Sequence, residues 1–210
     1  MDKLKKIGIM GGTFNPIHNG HLVLANSAYE QFHLEEILFM PSKNPPHKEH
    51  KNIVSDNHRL NMVSLAISDI PYFTLSTVEL EREGTTYTVD TLESLRKTKE
   101  SISFYFIIGA DSLFQIETWK KPEEILKLAK FIVASRYGLS NEAINQQIEY
   151  LNHTYNTNIE RIKMPDIDIS SKHIRENIKN NNSVKEYIPK AVEEYIDKYD
   201  LEFIPLNVMI

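Results

Sequence analysis

The chain has 210 residues, of which 41% are hydrophobic, enough to form the core of one large domain or two small ones. Its 24 lysine and arginine residues against 29 acidic residues give a net charge of −5, which argues against a broad nucleic-acid-binding surface but leaves a local basic pocket open. The sequence has no cysteine, which excludes disulfides and thiolate zinc sites, and no apolar run near the ~18 residues that a membrane helix needs. We expect a cytoplasmic protein that binds neither nucleic acid nor membranes.

A predicted strand, a glycine-containing loop and a predicted helix follow one another between residues 5 and 32. Apolar residues at 7–10 indicate the strand, Gly11 and Gly12 open the loop, and apolar residues recur at helical spacing over 22–32. Consecutive glycines let a bulky anion approach the backbone, and the helix start would point N–H groups and its positive dipole end at that anion. The segment predicts an α/β fold with a phosphate site after its first strand.

Two histidines at the end of this loop indicate the chemistry of the site. His18 and His21 are three residues apart, with His21 at the predicted helix start, so both rings can donate hydrogen bonds to phosphoryl oxygens. The glycine spacing matches neither the Gly-x-Gly-x-x-Gly dinucleotide fingerprint nor a Walker loop. The alternative is a pair of surface histidines in a glycine turn.

The segment Gly11–His21, Gly-Gly-Thr-Phe-Asn-Pro-Ile-His-Asn-Gly-His, resembles the signature of the nucleotidyltransferase superfamily that carries a His-x-Gly-His motif. Over about residues 5–200 the chain resembles the bacterial nicotinate-nucleotide adenylyltransferases within that superfamily. The resemblance implies an α/β, Rossmann-like doubly wound fold of the nucleotidyltransferase type, with a mainly parallel sheet flanked by helices. We expect one such domain over residues 1–200, with a helical part from about residue 170, and a tail of unknown role at 201–210.

The same resemblance implies a reaction: the adenylyl group of ATP, carried with Mg²⁺, is transferred to nicotinate mononucleotide, giving nicotinate adenine dinucleotide and pyrophosphate in NAD biosynthesis. The nucleophile is then a phosphate oxygen, largely ionised at pH 7 because its second pKa is about 6, so no catalytic base is required. The resemblance implies that His18, His21 and Arg175 are catalytic. It implies ATP contacts at these residues: Gly11, Gly12, Thr13, Phe14, Gly109, Asp111, Arg136 and Ser171. ATP and nicotinate mononucleotide are the expected partners, and self-association stays open.

Several of these ATP-side residues follow predicted strands. Gly109 and Asp111 come directly after the most hydrophobic stretch of the chain, at 104–108, where a ribose or an adenine edge would fit. The alternative for Asp111 is a helix N-cap, and both roles can hold. Arg136 follows a predicted strand at 131–135.

A second anion site is predicted near the carboxyl end of the chain. Ser170 and Ser171 are expected to cap a helix whose first-turn amides and hydroxyls, with Arg175, bind phosphate oxygens. The segment resembles the family's Ile-Ser-Ser-x-x-Ile-Arg motif, with Lys172 where many relatives have a hydroxyl residue.

The loop at 42–51 follows a predicted strand and is rich in turn-forming and basic residues. The family has an Asn-Pro-Pro-His-Lys segment here, which implies that Asn44, His47 and Lys48 border the substrate phosphates. A solvated basic loop is the alternative. His47 and His50 also form a His-x-x-His pair, but a proline-bearing loop lacks the frame on which paired zinc ligands usually lie.

The turn at 84–92 is rich in hydroxyl groups and matches the family pattern, which implies that Thr86 and Tyr87 lie at the pyridine ring. Taken alone, a helix-capping cluster is the more common explanation. Trp119 is the only tryptophan; such a residue is more often part of the core, but its ring is also the best side chain for stacking on a cationic pyridinium. Many relatives have an aromatic residue or histidine next, where this chain has Lys120.

Further helices are predicted at 55–68, with Ser55 as N-cap, and at 89–99, 139–155 and 189–199, and further strands at 37–40, 73–76, 78–83 and 159–164. Competing functions are another superfamily member, such as a pantetheine-phosphate adenylyltransferase or a cytidylyltransferase, and a nucleotide-sensing module that has lost the chemistry. A class I aminoacyl-tRNA synthetase has a similar histidine pair, but 210 residues leave no tRNA-binding extension.

Overall fold

The computed structural model describes residues 4–43, 53–98, 101–135, 140–164 and 168–203. Six strands form its centre: β1 (Lys5–Gly12), β2 (Glu36–Pro41), β3 (Phe73–Leu75), β4 (Ile102–Gly109), β5 (Lys130–Ala134) and β6 (Ile159–Arg161). They make one sheet in the order β3-β2-β1-β4-β5-β6, and every neighbouring pair is parallel. This is the order of a doubly wound sheet, so the predicted fold class is confirmed.

Helices cover both faces of the sheet. Within the described ranges they are α1 (Asn19–Phe32), α2 (Asp56–Ile67), α3 (Thr88–Thr98), α4 (Ala110–Gln115), α5 (Pro122–Leu128), α6 (Asn141–Tyr155), α7 (Ser171–Lys179) and α8 (Lys190–Lys198). Helices α1, α2, α7 and α8 bury one apolar cluster against the sheet, and α3 to α6 bury another on the opposite face. None of these helices is both long enough and apolar enough to cross a membrane.

The sheet opens between β1 and β4 at its carboxyl edge. The two strands pair as far as Met10 and Ile107, whereas the pairing of β1 with β2 continues to Gly12. Beyond that point Gly11 and Gly109 are both exposed. Since β1 leads to α1 on one face and β4 leads to α4 on the other, this opening is a topological switch point, where open α/β sheets bind ligands.

The predicted helix N-caps agree with the structure, whereas one of the predicted strands does not. The hydroxyls of Ser55 and Ser170 each accept the backbone N–H three residues on, which confirms both as N-caps. The prediction of a strand at 78–83 is wrong. The segment begins as a turn, in which the Leu80 N–H donates to the Thr77 carbonyl at 2.8 Å and is therefore not offered to a neighbouring strand.

Candidate active site

The loop between β1 and α1 is held by two side chains of α7. Ser171 Oγ donates to the Pro16 carbonyl at 2.9 Å, and Arg175 Nη1 donates to the Asn15 carbonyl at 2.9 Å. Burial lowers the pKa of Arg175 below its usual value and Glu176 opposes the shift, but a guanidinium still remains cationic at neutral pH. The two segments that the sequence predicts to bind anions are therefore in contact, although they are far apart in sequence.

Phe14 has a left-handed backbone, with φ of 49°. This conformation is rare for a bulky residue and persists only where the surroundings enforce it. Its ring is buried and lies edge-on to His21, with centroids 5.1 Å apart, so a ligand would meet the backbone of Phe14 rather than its ring. A Cβ on Gly12 would lie 3.3 Å from the same ring, so packing within the loop also favours this glycine.

The two histidines stack on each other at the start of α1. Their ring centroids are 3.6 Å apart and their planes differ by 28°. The backbone N–H of His18 donates to Nδ1 of His21 at 3.2 Å. Because that Nδ1 accepts, the neutral ring of His21 carries its proton on Nε2, which makes Nε2 a hydrogen-bond donor suited to a phosphoryl oxygen.

His18 is 7% exposed, and this burial lowers its pKa to about 4. It is therefore neutral at pH 7, which avoids the repulsion that two cationic rings would have at this distance. His18 is also the N-cap of α1, where its side chain and that of His21 each face the other residue's backbone N–H in a capping box, and its Nδ1 is enclosed by the protein.

We expect His18 to make the stability of the protein dependent on pH between 6.5 and 4. In this window the unfolded chain protonates His18 and the folded protein does not, so the free energy of unfolding falls as pH falls, by up to about 3 kcal/mol. Denaturant unfolding of the wild type and His18→Gln at pH 7 and pH 4.5 measures this difference. The wild type should lose more stability than the variant, and equal losses would contradict the assignment.

The opening of the sheet is lined by glycine on both sides. Gly109 is the N-cap of α4, so the alternative of Asp111 as N-cap is wrong; Asp111 lies exposed in the first turn. A Cβ on Gly109 would meet nothing within 4 Å, which leaves open space at the end of β4. A Cβ on Gly11 would lie 3.4 Å from the ring of Phe106, and the same ring meets Trp119 edge-on with centroids 6.4 Å apart.

The residues expected at the pyridine ring are neighbours in the structure. Trp119 is half-buried against the core, and Lys120, the next residue, has its Nζ 4.3 Å from the ring centroid of Tyr87 and 3.3 Å from Asp90 Oδ2. Thr86 is buried beside Tyr87. The lysine that departs from the family pattern thus joins the Trp119 segment to the turn at 84–92.

A polar network supports this turn and contains a carboxyl group that the sequence analysis did not identify. Thr91 Oγ1 donates to Glu79 at 2.9 Å, and Arg82 pairs with Asp90 at 3.2 Å. Burial raises the pKa of Glu79 above its usual value, opposed by the Thr91 hydrogen bond and the charge of Arg82. Lys43 Nζ donates to the Arg82 carbonyl at 2.7 Å, so the start of the basic loop is tied to the same network.

Some predicted positions lie outside the described residues. These are Asn44, His47, Lys48 and Arg136, together with His50 of the alternative zinc pair and residues 204–210 of the tail. Leu201 and Phe203, at the start of the predicted tail, are buried.

Arg59 was also missed by the sequence analysis. It is fully buried in α2, and its Nη1 donates to the Thr13 carbonyl at 2.7 Å. The signal was present, because Arg59 falls on the apolar side of the helix at helical spacing from the buried Met62, Val63 and Ala66. A charged side chain at such a position has to be paired inside the protein.

Comparison with known proteins agrees with the resemblance. The model of the family described as cytidylyltransferase-like matches residues 9–177. A probable nicotinate-nucleotide adenylyltransferase of Lachnoclostridium phytofermentans is 46% identical, over 93% of this chain and 98% of the relative. The chain belongs to the nicotinate-nucleotide adenylyltransferase family. Another relative of that name, from a Thermoanaerobacter species, is 41% identical over 96% of both chains.

Solved structures of proteins with related names have the same fold as this chain. The nicotinic acid mononucleotide adenylyltransferase of Plasmodium falciparum, solved in complex with NaAD, superposes with a TM-score of 0.79 at 24% identity, over 97% of this chain and all of that one. A putative nicotinate-nucleotide adenylyltransferase of Vibrio parahaemolyticus gives 0.67 at 20% identity over 93% of each chain. At these identities the likeness concerns the fold of this family, and the residue roles depend on the geometry above.

Proposed function

We propose that the protein transfers the adenylyl group of ATP to nicotinate mononucleotide, forming nicotinate adenine dinucleotide and pyrophosphate. The observation that carries the proposal is the convergence of the stacked His18 and His21 with Ser171 and Arg175 on one glycine loop at the opening of the sheet. The names of relatives that cover nearly the whole chain support the choice of acceptor. We place the reaction in the cytoplasm, with which the absence of cysteine is compatible.

The reaction needs alignment and charge stabilisation more than proton transfer. A phosphate oxygen of nicotinate mononucleotide forms a bond to the α-phosphorus of ATP, the bond from that phosphorus to the bridging oxygen breaks, and pyrophosphate leaves with the electron pair. The Nε2–H of His21 and the guanidinium of Arg175 would donate to the phosphoryl oxygens as their charge develops. Mg²⁺ enters bound to the phosphates of ATP and is part of that substrate.

The acceptor would bind on the other side of the opening. Trp119 offers aromatic surface there, and a pyridinium cation is attracted to such a ring. The ring of Tyr87, with Lys120 Nζ over one face, would lie beside it. The glycine lining at Gly11 and Gly109 would leave room between the two nucleotides for the reacting phosphates. This arrangement puts ATP over the loop between β1 and α1 and the mononucleotide near the turn at 84–92.

The test is pyrophosphate release from Mg-ATP with nicotinate mononucleotide, nicotinamide mononucleotide and phosphopantetheine offered separately. We expect release with the nicotinate nucleotide and far less with the other two. Release with phosphopantetheine alone would replace the acceptor and discard the roles of Tyr87 and Trp119. ATP binding without release for any acceptor would favour the nucleotide-sensing module.

A further inference from the structure

Arg59 is the largest completely buried side chain among the described residues, and there its guanidinium binds two partners. Nη1 donates to the Thr13 carbonyl at 2.7 Å, and Nη2 pairs with Asp56 Oδ1, whose side chain is 41% exposed. Nε is buried with no hydrogen-bond partner among the described residues. The group therefore connects the core of α2 to a single backbone carbonyl of the loop between β1 and α1.

Stability alone does not account for a charge in this position. Removing a guanidinium from water is costly, and a buried ion pair can often be replaced by well-packed apolar side chains without loss of stability. The neighbours of Arg59 on the buried side of α2 are apolar, so a methionine or leucine would suit the surroundings. What an apolar residue would not supply is the donor to Thr13.

The carbonyl that Arg59 binds belongs to the peptide group leading into Phe14, the residue with φ of 49°. A strained backbone conformation of this kind needs restraint from outside the loop. In a trans peptide the N–H points away from the C=O, so fixing the Thr13 carbonyl towards Arg59 directs the Phe14 N–H to the opposite side of the loop. The positive charge behind the peptide also polarises it and strengthens that N–H as a donor.

We propose that Arg59 is a positioning residue for ATP, which it does not touch: it fixes the Thr13–Phe14 peptide so that the Phe14 N–H faces the ATP phosphates. Arg175 holds the Asn15 carbonyl from α7, so side chains of two different helices fix the carbonyls on either side of Phe14 in sequence, those of Thr13 and Asn15. The inference rests on the proposed function in taking ATP as the ligand of this loop.

The test compares Arg59→Met, Arg59→Lys and the control Arg96→Met, an exposed arginine in the last turn of α3. At a temperature where all are folded, Arg59→Met should lower kcat/KM for ATP about 10- to 100-fold, since small misplacements in a phosphate site are costly. KM for the mononucleotide should change less than about threefold, and Arg59→Lys should recover part of the loss because it restores one donor and the charge. Wild-type kinetics in folded Arg59→Met with only a lower Tm would overturn the proposal.

Calorimetric binding of a non-hydrolysable ATP analogue provides a readout that does not depend on the acceptor. We expect weaker binding by Arg59→Met than by Arg96→Met, and equal binding by the two would overturn the proposal even if the wild type released no pyrophosphate. Should Arg59→Met not fold, Asp56→Ala takes its place, because Asp56 is partly exposed and its truncation removes one of the two hydrogen-bond partners of the guanidinium. A fall of about three- to tenfold in kcat/KM for ATP is then expected, and unchanged kinetics would overturn the inference.

Discussion

His21→Ala should lower kcat about 10²- to 10³-fold while leaving the protein folded, because it removes one donor to the charge that develops on the phosphates. His21 lies in the first turn of α1 and its Nδ1 is already occupied by the His18 N–H, so Nε2 is the nitrogen that would act on substrate. Steady-state pyrophosphate release at saturating ATP and mononucleotide measures the effect, and circular dichroism checks the fold.

His153→Ala is the matched control, since His153 is exposed in the last turn of α6 and should retain wild-type turnover. His21→Gln adds a second comparison: its amide keeps an N–H donor near the position of Nε2, so it should recover part of the lost rate. Wild-type turnover in folded His21→Ala would remove His21 from the catalytic assignment.

Arg175→Ala should lower kcat/KM for ATP by about 10²-fold or more, because two contributions are lost together. The guanidinium fixes the Asn15 carbonyl with Nη1, and its remaining N–H groups are placed beside the loop that would bind the phosphates. Arg175→Lys keeps the charge but has a single nitrogen for both tasks, so it should recover only a minor part of the rate. Initial rates at varied ATP and fixed mononucleotide give the comparison.

Lys179→Ala is the control for Arg175, because it removes an exposed cation from the last turn of the same helix. Its kcat/KM for ATP should match the wild type. If kcat/KM of Arg175→Ala for ATP also matched the wild type, the contact with Asn15 would be structural only, and the prediction of a second anion site would be wrong.

The fold could be predicted from the sequence where the signal is local. Periodicity located β1 and α1, and single serine residues fixed the starts of α2 and α7. The pattern at 78–83 failed because a strand exists only if a partner accepts its hydrogen bonds, and here the Thr77 carbonyl takes the first of them.

The site could be predicted in part. The spacing of His18 and His21 predicted a phosphate site, and the roles expected for Thr86, Tyr87 and Trp119 came from family resemblance; both stay predictions. The contacts of Arg59 with Thr13 and of Arg175 with Asn15 join segments distant in sequence, which no local pattern contains. For Arg59, its helical spacing from the apolar residues of α2 still indicates that a charged side chain is buried.

The ring of Phe106 has a consequence for how the protein could change in evolution or by engineering. It neighbours Gly11, in the motif expected to bind ATP, and packs edge-on with Trp119, on the side expected to bind the acceptor. A side chain larger than alanine at Gly11 would displace this ring and with it the support of Trp119. Mutations that change the choice of acceptor are therefore to be sought at Gly11 and Phe106 as well as at Trp119, since one ring contacts residues of both predicted substrate sites.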